Sequence, residues 1–190
     1  MKELIYATGN PLKFAFAQKA LEGAGITIFQ KDLDIPEIQS KNVEEIASFS
    51  AKWGSGLLKK PLIVSDAGYY IEALGGFPGP FIKFINQWLA AEDILKLMDR
   101  KENRSVLVKE ALAYCEPDGT PVCFLGNFKG TIARSVGKKG ITAINEIFIP
   151  DGFARPESEI SSEDRALFWS DDSAWRQMVE HLKSLGNDYQ

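Results

Sequence analysis

The chain has 190 residues, 45% of them hydrophobic and 25% charged, which predicts a single globular domain, 1–190, with a core of its own. Its net charge of −4 speaks against a protein that coats nucleic acid, which needs a basic face to displace counterions, yet leaves room for a small phosphate ligand held by a few lysines and a metal. One histidine and two cysteines cannot furnish a zinc site, and no apolar stretch approaches the length of a membrane span.

Met1-Lys2-Glu3 runs straight into strand-like residues with no leader pattern, the expectation for a cytoplasmic protein. Leu4–Ala7 reads as a short buried strand. Asn10-Pro11 then opens a helix, since Asn caps well and Pro suits the first helical position. Leu12, Phe16, Ala20 and Leu21 recur at helical spacing and Gly23 ends the run. Ile26–Phe29 reads as a second strand. A second helix is expected over Val43–Leu58, with Asn42 and Glu45 in a capping-box relation. Leu62-Ile63-Val64 is a buried strand running into Ser65-Asp66-Ala67-Gly68, and Leu74–Pro80 is a loop followed by helix to about Asp99. Ser105–Cys115 and Val122–Ala133 form a long antiparallel hairpin about Pro117-Asp118-Gly119-Thr120. Cys115 and Cys123 flank that turn and are read as reduced thiols. Glu146–Ile149 is a further strand, and helices beginning near Ser162 and Asp172 finish the chain. Alternating strands and helices followed by a hairpin predict an α/β protein with a mixed sheet.

Five places carry residues suited to phosphate chemistry. In Thr8-Gly9-Asn10-Pro11-Leu12-Lys13 a strand gives way to a helix whose free N–H groups make an anion site. Lys13 opposes the helix dipole there by about 0.3–1 kcal/mol; either a bound phosphate removes that cost, or the lysine is simply solvated. Asp66 follows a buried strand, where α/β proteins place ligands. Its hard oxygens suit magnesium, and the alternative is a turn aspartate before glycine. Glu37, held in an extended loop after Pro36, is either a second metal ligand or a solvated loop residue. Glu45 and Lys52 project from one helical face two turns apart; either they meet a ligand, or Glu45 serves the helix N-terminus and Lys52 faces water. Lys83 follows the glycine-proline loop and either reaches a ligand or lies on the surface.

Taken together and in order, these motifs resemble the inosine triphosphate pyrophosphatase family. T-G-N-x-x-K is matched by Thr8-Gly9-Asn10-Pro11-Leu12-Lys13, and P-E-x-Q by Pro36-Glu37-Ile38-Gln39. The archaeal-type E-E-[VI]-A-x-F-x-A-K-W is matched by Glu44 to Trp53. Asp66-Ala67-Gly68 stands for D-[ST]-G, and Glu72 to Gly79 for E-A-L-x-G-x-P-G, with Lys83 beyond. Gly126 to Ile132 and Ile147-Phe148-Ile149-Pro150 fit later strands. The resemblance implies an elongated mixed sheet with flanking helices, two lobes around a central cleft, and a homodimer. It implies hydrolysis of deaminated purine triphosphates to monophosphate and pyrophosphate. Thr8, Gly9, Asn10, Lys13, Lys52 and Lys83 would hold the triphosphate. Glu37 and Asp66 would bind Mg2+, and one of them or Glu45 would help to activate water.

The departures gather in the half of the family that reads the base. Phe16 stands where a glutamate is usual, Ser65 where a second acid is usual, and Glu157 where a lysine is usual. Thr142-Ala143-Ile144-Asn145 replaces F-[GA]-[YW]-D, and Ser161-Ser162-Glu163 replaces S-H-R. Ser161 to Asp164 also read as a plain helix cap with acids in the first turn. Loss of purpose-built hydrogen-bond donors relaxes discrimination, so altered base specificity is expected. The rival reading is a catalytically weak or inactive nucleotide-binding regulatory protein of the same fold. A third is a related phosphatase acting on a non-purine nucleotide.

Overall fold

The computed structural model describes residues 3–22, 24–170 and 173–186; the expected helix stop at Gly23 and helix start at Asp172 lie outside them. Seven strands form one mixed sheet: β1 (Leu4–Ala7), β2 (Ile28–Lys31), β3 (Leu62–Ile71), β4 (Pro78–Gly79), β5 (Ser105–Cys115), β6 (Val122–Ile132) and β7 (Phe148–Pro150). Their order is β2-β1-β3-β5-β6-β7, with β4 paired to β3. Among the described residues six α-helices accompany them: α1 (Pro11–Glu22), α2 (Val43–Leu58), α3 (Ile82–Trp88), α4 (Ala91–Leu97), α5 (Ser162–Ser170) and α6 (Ser173–Ser184). This is the expected mixed α/β class. Among the described residues no helix is long and apolar enough to cross a membrane, and both cysteines are free thiols.

The chain divides into two compact units. The first comprises Met1–Asp66, Glu110–Gly126 and Ser173–Gln190. Here β1 pairs in parallel with β2 and β3, the arrangement that a strand-helix-strand unit produces. Leu4, Tyr6, Ile28, Ile63 and Leu112 from the strands pack against Ala17 and Leu21 of α1 and Trp175, Met178 and Leu182 of α6. Trp175 takes both Tyr6 and Phe16 edge-on, at 5.9 and 6.0 Å between ring centroids. That packing gives Phe16 a structural use where an acid would gain nothing from burial. β2 starts two residues later than its apolar run predicts. The amides of Ala24, Gly25 and Ile26 bond back to carbonyls at the end of α1, which withholds them from the ladder.

The second unit comprises Ala67–Lys109 and Asn127–Asp172. Ile82, Ile85 and Ile94 of the helices pack with Val106, Val108, Phe128, Ile132, Ile147 and Phe148. β4 pairs antiparallel with β3 (Tyr69 with Gly79, Tyr70 with Pro78). This pairing is only possible because Gly68 lacks a side chain, since a Cβ there would sit 2.8 Å from the carbonyl carbon of Gly79. The expected helix to Asp99 is two helices, broken at Leu89-Ala90 where the Asp93 carboxylate accepts the Ala90 amide. The strand expected over Glu146–Ile149 begins at Phe148, because Ile144–Glu146 form a single 3-10 turn.

Candidate active site

In the first unit, β1 delivers the chain to Thr8, which is fixed on both sides. Its amide donates to Lys31 O at 3.0 Å, and Gln30 Nε2 donates to Thr8 O at 3.0 Å. Thr8 Oγ1 in turn accepts the Asn10 amide at 3.1 Å. Asn10 Oδ1 accepts the amides of Leu12 (2.9 Å) and Lys13 (3.3 Å), and Asn10 O accepts that of Phe14 (3.1 Å). Asn10 therefore caps α1, as its residue type predicts. The same bonds correct the expectation of free helix amides: Pro11 has none, and the next three are satisfied within the turn. A Cβ at Gly9 would meet the Asp32 carboxylate at 2.9 Å, so a larger residue there would have to displace that exposed side chain.

Lys13 is half-buried and does not simply face water. Its ammonium donates to Ser65 Oγ on β3 at 3.4 Å. Ser65 also shares a 2.7 Å hydrogen bond with the hydroxyl of Tyr6 on β1. The expectation that Asp66 lies after a strand is corrected, because it stands in the middle of β3, whose second half is held by β4. It nevertheless keeps the position that matters chemically. The parallel pairing of β1 with β3 runs Ile5 with Leu62 and Tyr6 with Ile63, so Ser65 and Asp66 extend past the carboxyl end of the parallel ladder, where α/β sheets bind ligands. The structure thus brings together Lys13, Ser65 and Tyr6, with the half-buried Asp66 next in sequence.

Glu37 and Lys52 are exposed, the first in the loop after β2 and the second on α2. Glu45, in the first turn of α2, is exposed and accepts Ser40 Oγ at 2.6 Å and Asn42 Nδ2 at 3.0 Å. Those two bonds, Ser40's foremost, hold its carboxyl below the usual carboxylate range. Among the described residues no three acidic, histidine or cysteine side chains form a metal-holding group, so Glu37, Glu45 and Asp66 are not a three-carboxylate cluster. Lys83 lies exposed on α3 of the second unit, with Nζ 5.9 Å from the centre of the Phe84 ring.

The second unit also holds the departures at Thr142–Asn145, Glu157 and Ser161–Glu163, and Thr142, Asn145 and Glu157 are joined by hydrogen bonds. Thr142 Oγ1 pairs with Asn145 Oδ1 at 2.6 Å, and Asn145 Nδ2 donates to Glu157 Oε2 at 2.7 Å. Trp169 Nε1 donates to Glu157 Oε1 at 2.9 Å. Glu157 is only 5% exposed. Burial first, and then the charge of Glu157, push the Tyr69 phenol far above the ordinary tyrosine value. Ser161 Oγ accepts the Asp164 amide at 3.0 Å, the helix cap that its residue type suggests. Sequence reasoning missed the Tyr6–Ser65 pair and the burial of Glu157. The available signal was polarity: a serine continuing a buried strand and a glutamate near tryptophan each need a partner.

The profile of the Ham1 family matches residues 4–181. The chain belongs to the Ham1 family. This Ham1 protein is 37% identical over 183 residues to a protein of Methanopyrus kandleri named dITP/XTP pyrophosphatase, covering 96% of this chain and 97% of that one. A Thermococcus kodakarensis protein of the same name is 33% identical over 180 residues, covering 95% and 97%. Among solved structures, a HAM1 protein from Coxiella burnetii superposes with a TM-score of 0.81 at 23% identity, covering 97% of this chain and 100% of that one. The Staphylococcus aureus Ham1 protein gives 0.82 at 20% identity, with the same coverage. The motif resemblance is borne out in family and in fold.

Proposed function

We propose that this Ham1 chain acts as one catalytic domain, 1–190, that hydrolyses nucleoside triphosphates to nucleoside monophosphate and pyrophosphate, with magnesium as cofactor and altered or relaxed base specificity. The observation that carries the reading is Lys13, drawn onto Ser65 beside Asp66 at the carboxyl end of the parallel strands, in a chain whose relatives are named dITP/XTP pyrophosphatases. The lack of a membrane-length helix among the described residues and the relatives' activity on nucleotides are in keeping with a cytoplasmic enzyme. The family resemblance supports a homodimer.

Magnesium fits the donors present. Glu37 and Asp66 offer hard oxygens, and this ion takes one or two carboxylates while completing its shell with water and phosphate; no three-acid cage is needed. Bound there, it would offset negative charge on the phosphate oxygens. Thr8, Gly9 and Asn10 border the triphosphate, and Lys13 and Lys52 neutralise the departing pyrophosphate. A water oxygen bonds to the α-phosphorus, the bond from that phosphorus to the bridging oxygen breaks, and its electron pair leaves with pyrophosphate. With Asp66 committed to the metal, Glu45 takes the water's proton. Held below the usual carboxylate range by Ser40 and Asn42, it is ionised at neutral pH, the form that accepts a proton.

The base-reading half supports the change in specificity. Asn145 and Glu157 engage each other and Trp169, and neither presents the cationic donors that an oxo-purine would require. The same observation favours the second reading, a weak or inactive nucleotide-binding regulator. Hydrolysis in 18O-labelled water tests the first. Label in the monophosphate supports attack at the α-phosphorus, and label in pyrophosphate or in free phosphate rules it out.

A further inference from the structure

We propose that Tyr6 and Ser65 are a positioning pair that holds the ammonium of Lys13 in place for an anionic phosphate without neutralising it. The inference rests on the phosphate role of Lys13 just proposed. Two distances, the burial of Tyr6 and the hydrogen-bonding inventory of the groups carry it.

An ammonium donates only, so at 3.4 Å Lys13 uses a lone pair of Ser65 Oγ. The Tyr6 hydroxyl lies 2.7 Å from the same oxygen. Tyr6 is 1% exposed, locked between the sheet and the edge of Trp175. Burial first, with the charge of Glu110 assisting against the Ser65 bond, raises its phenol far above the ordinary value, so it remains a neutral donor and acceptor. A rigid buried ring therefore fixes the serine, and the serine fixes the end of a long flexible lysine. Ordering such a side chain in advance removes entropy that phosphate binding would otherwise lose.

The neutral character of the pair is the point. A carboxylate at position 65 would also reach Lys13, but as an ion pair that cancels the charge that phosphate is meant to meet. A hydroxyl aligns the ammonium as a neutral acceptor of one long hydrogen bond, and because it brings no negative charge it leaves that of the ammonium to act on a ligand. Neither Tyr6 nor Ser65 needs to touch the substrate, so their role is exerted through Lys13.

The test is titration of tripolyphosphate, without metal, into the full-length protein and into Ser65→Ala, Tyr6→Phe, Ser65→Asp, Lys13→Met and the Lys13→Met/Ser65→Ala double variant. Ser65→Ala and Tyr6→Phe are expected to weaken binding about fivefold each, the net worth of one hydrogen bond, and Ser65→Asp more strongly. In the Lys13→Met background, Ser65→Ala is expected to add nothing. Equal loss with and without Lys13, or unchanged affinity in Ser65→Ala, would overturn the pairing. Unchanged affinity in Lys13→Met would overturn it too. Thermal unfolding of each variant separates a folding defect, which lowers the midpoint without this dependence on Lys13. Parallel assays on nucleoside triphosphates keep the two ideas apart. A higher KM with little change in kcat for Ser65→Ala supports the pair. A wild type that releases no pyrophosphate counts against the proposed activity, while the titration still decides the pair.

Discussion

The buried carboxylate of Glu157 accepts the indole N–H of Trp169 at 2.9 Å. Its other oxygen accepts Asn145 Nδ2 at 2.7 Å, so one acid satisfies two donors in the second unit. Glu157→Ala leaves both half-buried donors without that acceptor and is expected to destabilise the protein by about 2–6 kcal/mol, from about 1–3 kcal/mol for each group left unsatisfied. Urea unfolding measures this, and a loss under about 1 kcal/mol would show that the network relaxes around water.

Gly68 and Gly79 let β4 close on β3. Gly68→Ala places a methyl against the Gly79 backbone, and backbone cannot swing aside as a side chain does. Overpacking of this kind costs about 1–3 kcal/mol. Gly56→Ala, where a Cβ meets nothing within 4 Å, is the comparison and should not destabilise.

Asn10 joins a cap to a proposed phosphate contact, and two substitutions separate them. Asn10→Ala loses the cap and is expected to cost about 1 kcal/mol of stability. Asn10→Asp keeps a capping oxygen and should unfold like wild type, yet its negative charge should raise KM for a triphosphate. Equal KM in Asn10→Asp and wild type would leave Asn10 with the cap alone.

Glu45 supplies a pH test. Its folded-state value is depressed by Ser40 and Asn42, so its contribution to stability is present above the unfolded value, about 4.3 for a glutamate, and is lost as pH falls through the folded one. Ser40→Ala removes the larger cause and should move that loss to higher pH. If Glu45 is the base, the acidic limb of kcat/KM moves the same way. A limb that stays in place in Ser40→Ala assigns the proton to another group.

Local signals carried much of the architecture. Helix α2 spans the residues that its apolar spacing predicts, Val43–Leu58, but the expected capping box does not form: Asn42 makes no side-chain cap bond, and its Nδ2 donates to the Glu45 carboxylate instead. The second half of β3 was not legible, since it is a strand only through pairing with Pro78–Gly79. The break between α3 and α4 has no glycine or proline to mark it and depends on Asp93 reaching Ala90. At the site, T-G-N-x-x-K identified the turn, but which way Asn10 points decides whether the helix amides are free. The Tyr6–Ser65 bond joins residues 59 positions apart, and no spacing rule announces it.

The most direct measurement is pyrophosphate release from a panel of canonical, deaminated and pyrimidine nucleoside triphosphates, with and without magnesium, beside Asp66→Asn. Release that requires magnesium, falls at least about 100-fold in Asp66→Asn as expected when a transition-state group is lost, and is spread over several bases is the expected result. Strong preference for inosine triphosphate over adenosine and guanosine triphosphates would contradict the altered base pocket, and no release from any nucleotide, with binding retained, would make the chain a nucleotide-binding protein instead.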